Sequence, residues 1–216
     1  MKNVFACVLL AAFIGLVFTG CHRQQPRMKK PVIYVYSNTK QPVEVKLAFN
    51  GTLKATYPLY QNGWKFMADT NGNLMDTKTG ETYQYLFYDG LSAVEYKSFT
   101  EGFCVKTDTV IDFLKHTLTY LGLNEKEQND MISFWIPELN EKAFSLMRFK
   151  TNEACNEGAT LKITPAPETE IRVMLEFLPA NTYQEIREQK LKPATRSGFT
   201  VVEWGGVNLQ NTLPEL

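Results

Sequence analysis

Asp89, Glu101 and Glu203 are acids set among apolar and aromatic neighbours. Asp89 ends the run Tyr85-Leu86-Phe87-Tyr88, Glu101 precedes Gly102-Phe103, and Glu203 stands between Val202 and Trp204. Two carboxyl groups about 5 to 10 Å apart in one cleft are the machinery of glycoside hydrolysis. Apolar surroundings raise a carboxyl pKa toward the working range of a general acid. The same acids have a plainer use, because an isolated carboxylate at a strand end caps a turn or meets an arginine. Arg172, inside the run Ile171-Arg172-Val173-Met174-Leu175-Glu176, is the natural partner for Glu203 across a sheet or for Glu176 on its own face. Structural pairing is therefore the first reading, ligand binding the second and catalysis the third. Neighbours on a strand point to opposite faces. Trp204, which costs about 2–3 kcal/mol to expose, then faces the core, and Glu203 looks the other way.

Other chemistries find little material. His116 is the single histidine after His22, and it falls away from the apolar stripe of its helix. With one imidazole and no GxSxG turn, a Ser-His-Asp hydrolase has no basis, and Cys104 with His116 makes a pair only if the fold joins them. Gly205-Gly206 follows a strand without a GxGxxG or GK[ST] pattern, so it reads as a turn and not as a phosphate loop. Cys104 and Cys155 can close a disulfide in an oxidising compartment, worth roughly 4 kcal/mol for a loop of about 50 residues. Alternatively each is buried packing material. No CxxC and no Cys/His cluster at zinc spacing is present, so neither a metal nor a cofactor is expected.

These side chains need elements to hold them. Val32 to Tyr36 is apolar or aromatic throughout, the pattern of a central strand covered on both faces. Val43, Val45, Leu47 and Phe49 alternate with other residues up to Asn50-Gly51, a hairpin signal, after which Leu53 to Tyr57 returns along that strand. Asn62-Gly63 and Asn71-Gly72 bracket a further strand from Trp64, and Thr82 to Tyr88 adds another, closed by Asp89-Gly90. Val110, Ile111, Leu114, Leu118 and Leu121 then take helical spacing over 108–121, with Thr107 or Thr109 to cap and Gly122 to stop it. A capping box at Asn124 to Glu127 opens a second helix over 125–136, ended by Pro137. Strand patterns resume at 145–149, 160–164, 171–178 and 199–204, with a helical turn around 183–189. The fold class is α+β: a mostly antiparallel sheet or sandwich with two central helices, in a single domain over 31–207 followed by a C-terminal tail over 208–216.

Ahead of that body, Lys2 and the uncharged run Val4 to Phe18 lead into Thr19-Gly20-Cys21. A basic tip, a short apolar core and small residues before a processing site make a secretory leader. The ending resembles the lipobox of bacterial lipoproteins, although Phe18 stands where that motif has Leu or a smaller aliphatic residue. The resemblance implies a signal peptide over 1–20, a lipid on Cys21 and a tether over 21–30, carrying four basic residues from Arg23 to Lys30. The alternatives are an uncleaved membrane helix and an ordinary cleaved signal; each places the body outside the cytoplasm, and an anchored body in the cell envelope. With a composition 44% apolar and 12% aromatic, the chain can bury a core. Charges of 23 basic against 23 acidic leave no field for nucleic acid.

Lys30-Pro31-Val32-Ile33-Tyr34-Val35-Tyr36, Gly63-Trp64, Tyr85 to Gly90, Glu101-Gly102-Phe103 and Gly198 to Gly206 together resemble the recurring segments of a bacterial family of unassigned function. That family opens on a Lys-Pro-Val-Ile-Tyr-like stretch and closes on Glu-Trp-Gly-Gly. Ser37 and Tyr88 depart from it where Pro and Trp are usual. The resemblance spans about 30–206 and carries over no activity, substrate or cofactor. Two functional expectations follow: a non-catalytic envelope lipoprotein binding a glycan, a peptide or a partner protein through an aromatic surface, or an envelope glycan hydrolase using paired carboxylates.

Overall fold

The structure is a computed structural model that describes residues 25–213. The leader, Cys21 and the start of the tether lie outside the described residues, as do the last three. Strands β1 (Arg27–Tyr36), β2 (Gln41–Phe49), β3 (Gly51–Tyr57), β4 (Trp64–Ala68), β5 (Leu74–Asp76), β6 (Thr82–Tyr83), β7 (Leu86–Ser92) and β8 (Glu101–Lys106) come first. Helices α1 (Val110–Tyr120) and α2 (Glu125–Leu139) follow, and then β9 (Phe144–Thr151), β10 (Ala159–Thr164), β11 (Thr169–Ala180), β12 (Arg187–Glu188) and β13 (Thr200–Asn208). They form an eight-stranded sheet in the order β12-β8-β9-β11-β13-β1-β7-β3 and a five-stranded sheet in the order β10-β2-β4-β5-β6. The pairings are antiparallel except β11 with β13 and β12 with β8, so the chain is α+β as its patterning implies.

Three layers result. Alternation along the central strands sends Val32, Tyr34, Val173, Leu175, Val202 and Trp204 under the two helices. Ile33, Val35 and Val201 go the other way, against Val45, Trp64, Phe66 and Leu74 of the smaller sheet. A strand in the middle layer has no wet face, which is why β1 is apolar at every position from Val32 to Val35. The helix layer is anchored by Trp135, fully buried and edge-on to Phe177 with ring centroids 5.4 Å apart. The capping box of α2 forms as expected, with Glu127 N–H donating to Asn124 Oδ1 at 2.9 Å and Asn124 N–H to Glu127 Oε2 at 2.8 Å. Gly122, at φ +86°, ends α1. Thr107 and Thr109 do not cap that helix: their hydroxyls donate to the carbonyls of Lys142 and Lys106.

Several boundaries differ from the sequence expectations, each for a physical reason. Asn50-Gly51 is a crossover and not a hairpin, because β3 pairs with β7 in the large sheet while β2 pairs with β4 and β10 in the small one. The stretch 82–88 splits for the same reason, with β6 in one sheet and β7 in the other. Pro137 lies inside α2 because the carbonyl it fails to reach, that of Ser133, is on the exposed side. The segment 183–189 is no helical turn; its Arg187 and Glu188 pair with β8. The folded body also starts earlier and runs later than 31–207. Arg27 to Lys30 belong to β1, with Met28 buried, and Leu209 is fully buried beyond the end of β13.

Gly205-Gly206 and Asp89-Gly90 are the instructive misreadings. Both sit inside paired strands, where glycine serves close approach and not a turn. A Cβ on Gly206 would lie 2.4 Å from the Leu175 carbonyl oxygen and 2.8 Å from the Trp135 ring, and one on Gly90 would lie 2.7 Å from the Thr52 carbonyl oxygen. Pro31 presses on Gly205 from the neighbouring strand, and both ladders of β1 shift register there, between Lys29 and Val32 on one side and Met28 and Val32 on the other. The bulge admits a residue with no N–H into an interior strand. Gly206→Ala is expected to destabilise the domain by about 2–3 kcal/mol through overpacking, read as a lower urea midpoint at unchanged slope; an unmoved midpoint would show that the sheet yields there.

Candidate functional site

The sequence-predicted residues gather around one buried ion pair. Parallel pairing of β11 with β13 sets Arg172 opposite Glu203, and Arg172 Nε donates to Glu203 Oε2 at 2.6 Å. Both side chains are almost wholly removed from solvent. Tyr88 of β7 donates its hydroxyl to the other carboxylate oxygen at 2.7 Å. The remaining guanidinium nitrogens donate to Asn156 Oδ1 at 2.6 Å and to the Ala159 carbonyl at 2.8 Å. Burial pushes the Tyr88 hydroxyl well above its ordinary pKa, and the Glu203 charge adds to that, so it stays a donor. For Arg172, burial opposes the charge but the Glu203 carboxylate outweighs it, and the pKa rises. A charge removed from water is tolerated only with this degree of satisfaction. Trp204, the next residue, faces the helices as alternation requires, and its indole N–H has no hydrogen-bond partner there.

The other two acids are placed elsewhere. Asp89 follows Tyr88 on β7, so alternation turns it to the opposite face from Glu203, where its carboxylate takes Arg27 Nε at 2.6 Å. Glu101 lies on β8 and meets Arg187 at 3.0 Å on the surface. Five strand spacings separate β8 from β7 in the sheet, roughly 24 Å at 4.8 Å each. The fold thus brings no two of the three into a common cleft. Glu176, the other partner weighed for Arg172, is instead held by Arg148 Nε at 2.5 Å and Lys150 Nζ at 3.2 Å.

Among the described residues Cys104 and Cys155 are both free, so a disulfide between them is not realised. Cys104 is level with Leu146 on β9, whereas the Cys155 thiol donates to the Lys150 carbonyl four residues along that strand. The offset is roughly 13 Å along the strand, beyond the reach of a disulfide. Burial first, then the nearby Glu203 charge, pushes the Cys155 thiol up to about 12, which leaves it protonated and unreactive at neutral pH. His116 is exposed on α1. Among the described residues no group of three or more His, Cys, Asp and Glu side chains could hold a metal ion.

The surface feature that sequence reasoning missed is a groove of 730 Å³ where the end of β3 meets β4 to β6. Its rim carries Tyr57 and Leu59, 61% and 70% exposed, the two most exposed large apolar side chains in this part of the molecule. Tyr83 stands edge-on to Tyr57 at 5.3 Å between ring centroids. The loop that presents Leu59 is pinned from within: Tyr60 exchanges two 3.0 Å hydrogen bonds with the backbone of Leu47, and Trp64 Nε1 donates to the Pro58 carbonyl at 2.8 Å. The carboxylates of the groove are engaged. Glu44 faces Lys46 and Lys65, Asp76 accepts the N–H groups of Lys78 and Thr79, and Glu81 takes the Tyr83 hydroxyl. The run Tyr57-Pro58-Leu59-Tyr60 before Asn62-Gly63 was the available signal, since three large apolar residues rarely crowd an ordinary turn.

The pair at Arg172 makes a direct test. Glu203→Gln is expected to destabilise the domain by about 3–5 kcal/mol, because it strands a buried guanidinium. The apolar double substitution Arg172→Met with Glu203→Leu is expected to recover only part of that loss, because it removes the stranded charge but leaves the Tyr88 hydroxyl and the Ala159 carbonyl without their partners. Urea unfolding of the two variants beside the wild type decides it, and a Glu203→Gln protein that unfolds with the wild type would deny the pair its structural role.

No family model matches the chain, and no solved structure matches it. Among curated proteins it is similar to an uncharacterized protein in the bglA 3' region of Butyrivibrio fibrisolvens, with 33% identity over 93 residues, 41% of this chain and 92% of that protein. With so much of the relative's length covered at that identity, the chain belongs to the same family as the Butyrivibrio fibrisolvens protein.

Proposed function

We propose that the protein is a non-catalytic lipoprotein of the bacterial cell envelope, held to a membrane by lipid on Cys21, and that it binds a glycan along the groove of Tyr57, Leu59 and Tyr83. The observation that carries the binding part is the exposure of Tyr57, at the end of β3, and of Leu59, on the following loop, which is pinned by partly buried hydrogen bonds. Aromatic faces held rigidly at a surface offer apolar contact at little entropic cost, with polar groups beside them to fix orientation. Sugar rings, apolar on one face and hydroxylated at the edge, suit tyrosine platforms flanked by lysines and carboxylates. The separate arginine or internal partner of every acid considered, and the spacing of Asp89, Glu101 and Glu203, favour binding over hydrolysis.

The anchor is tested by metabolic labelling: Cys21→Ser is expected to lose palmitate incorporation and to accumulate as precursor, and equal labelling of the variant would reject lipid attachment.

For the groove, the full chain is mixed with insoluble peptidoglycan, cellulose and xylan and its cosedimentation measured. Tyr57→Ala and Tyr83→Ala are each expected to weaken binding to the retained polymer roughly tenfold, the equivalent of about 1.4 kcal/mol, with little change in melting temperature. Undiminished binding by both variants, or no retention on any polymer, would overturn the glycan reading, and release of soluble sugar would favour the hydrolase.

A further inference from the structure

The bulge in β1 turns two successive lysines toward α2, and only one of them finds a carboxylate. Lys29 Nζ donates to Glu138 Oε1 at 2.9 Å. Lys30 makes no ion pair among the described residues; its Nζ lies 5.4 Å from the centroid of the Phe134 ring and 5.9 Å from that of Tyr85. The backbone of Lys30 is at φ +51°, a left-handed conformation in a non-glycine residue that also precedes proline. Both conditions disfavour it, so the fold holds this ammonium in place against a local preference.

Beside Lys30 opens a cavity of 260 Å³, lined further by Tyr34, Tyr85, Asp130, Ser133 and Phe134. Its volume falls just below the usual range of ligand sites, which starts at about 300 Å³, so only a small molecule fits. On the far wall Asp130 Oδ2 accepts the Tyr34 hydroxyl at 2.7 Å and Lys126 Nζ at 3.3 Å. Lys126 lies over the Tyr34 ring, 4.6 Å from its centroid. Asp130 is thus already balanced by Lys126. The lining itself holds one lysine and one aspartate; because Lys126, outside it, pairs with Asp130, the positive charge left without a carboxylate is that of Lys30, beside the rings of Phe134 and Tyr85.

We propose that this cavity is a binding site for a small ring-bearing monocarboxylate, with the carboxylate on Lys30 Nζ and the ring against Phe134 and Tyr85. A single negative charge matches the surplus, while a second would meet Asp130 without compensation. The two rings beside the ammonium favour a ring over a flexible chain, and a lone ammonium selects charge where an arginine fork would select carboxylate geometry. The site lies on the helix face of the large sheet. It shares no residue with the groove of Tyr57 and Tyr83, and the two stand or fall separately.

The full chain, labelled with ¹³C at the lysine side chains, is titrated with sodium benzoate and sodium glucuronate, against benzyl alcohol, glucose and sodium chloride at matched ionic strength. Lys30→Arg and Lys126→Arg assign the signals. Saturable movement of the Lys30 and Lys126 signals by at least one acid, without the uncharged analogues, is the expected result; whichever acid acts identifies an aromatic or a sugar acid as the source. Lys30→Gln is expected to lower affinity at least tenfold, and Phe134→Leu, which keeps an apolar side chain on α2, to lower it as well. Neither acid moving Lys30 selectively, the uncharged analogue acting equally, or both variants binding undiminished would overturn the proposal.

Discussion

A buried charge without a partner is among the most costly things a protein interior can hold, and the centre of this molecule contains two charges that make each other tolerable. Arg172 and Glu203 stand side by side on β11 and β13, in the middle layer of a three-layer body, where neither water nor a flexible surface can compensate for an error in placement. Their mutual attraction only offsets desolvation if every remaining donor and acceptor is met. Tyr88, Asn156 and the Ala159 carbonyl meet them, and those three come from β7, from the turn between β9 and β10, and from β10 itself. The pair therefore ties the small sheet and its connecting turn to the large one. It also specifies a parallel register between β11 and β13 that apolar alternation alone would leave open to a two-residue slip.

The same logic separates the interior acids from the surface that is left for recognition. Glu176 and Glu203 each face an arginine in the interior, where their charge is committed to holding strands together, while Asp89 and Glu101 face arginines that reach into solvent. Tyr57 and Leu59 follow a different economy: their loop is anchored from beneath while its apolar side chains remain in water. That arrangement gives no stability to the isolated chain, and it is the kind of surface whose apolar area is recovered on contact.

Much of this was legible in the sequence. Period-two alternation located β2 and strand-like runs located β9, β10 and β11, helical spacing located α1, and the Asn124 to Glu127 box marked the start of α2 within a residue. The Arg172–Glu203 pairing was readable because an arginine in an otherwise apolar strand demands an acid. What escaped were relations between elements. Asn50-Gly51 has the local chemistry of a hairpin, yet the partner of β3 lies across a change of sheet that no local pattern records. Gly90, Gly205 and Gly206 looked like turn residues because the signal of glycine is the same whether it supplies backbone freedom or merely the absence of a side chain. Lys30 was read as part of a solvated tether, since the bulge that turns it inward is set by Pro31 pressing on Gly205 and is invisible until both strands are placed.

The position of β13 carries a consequence for how the body comes into being. It is the final strand of the described chain, and it is inserted between β1, the first, and β11. Until residues 200–208 arrive, the two halves of the large sheet have no common member, and each presents a long, apolar, unpaired edge. The large sheet is therefore complete only once this strand is seated between β1 and β11, a closure of high contact order. Before that closure the apolar faces and unpaired edges of β1 and β11 are open together, the kind of surface on which misassembly begins.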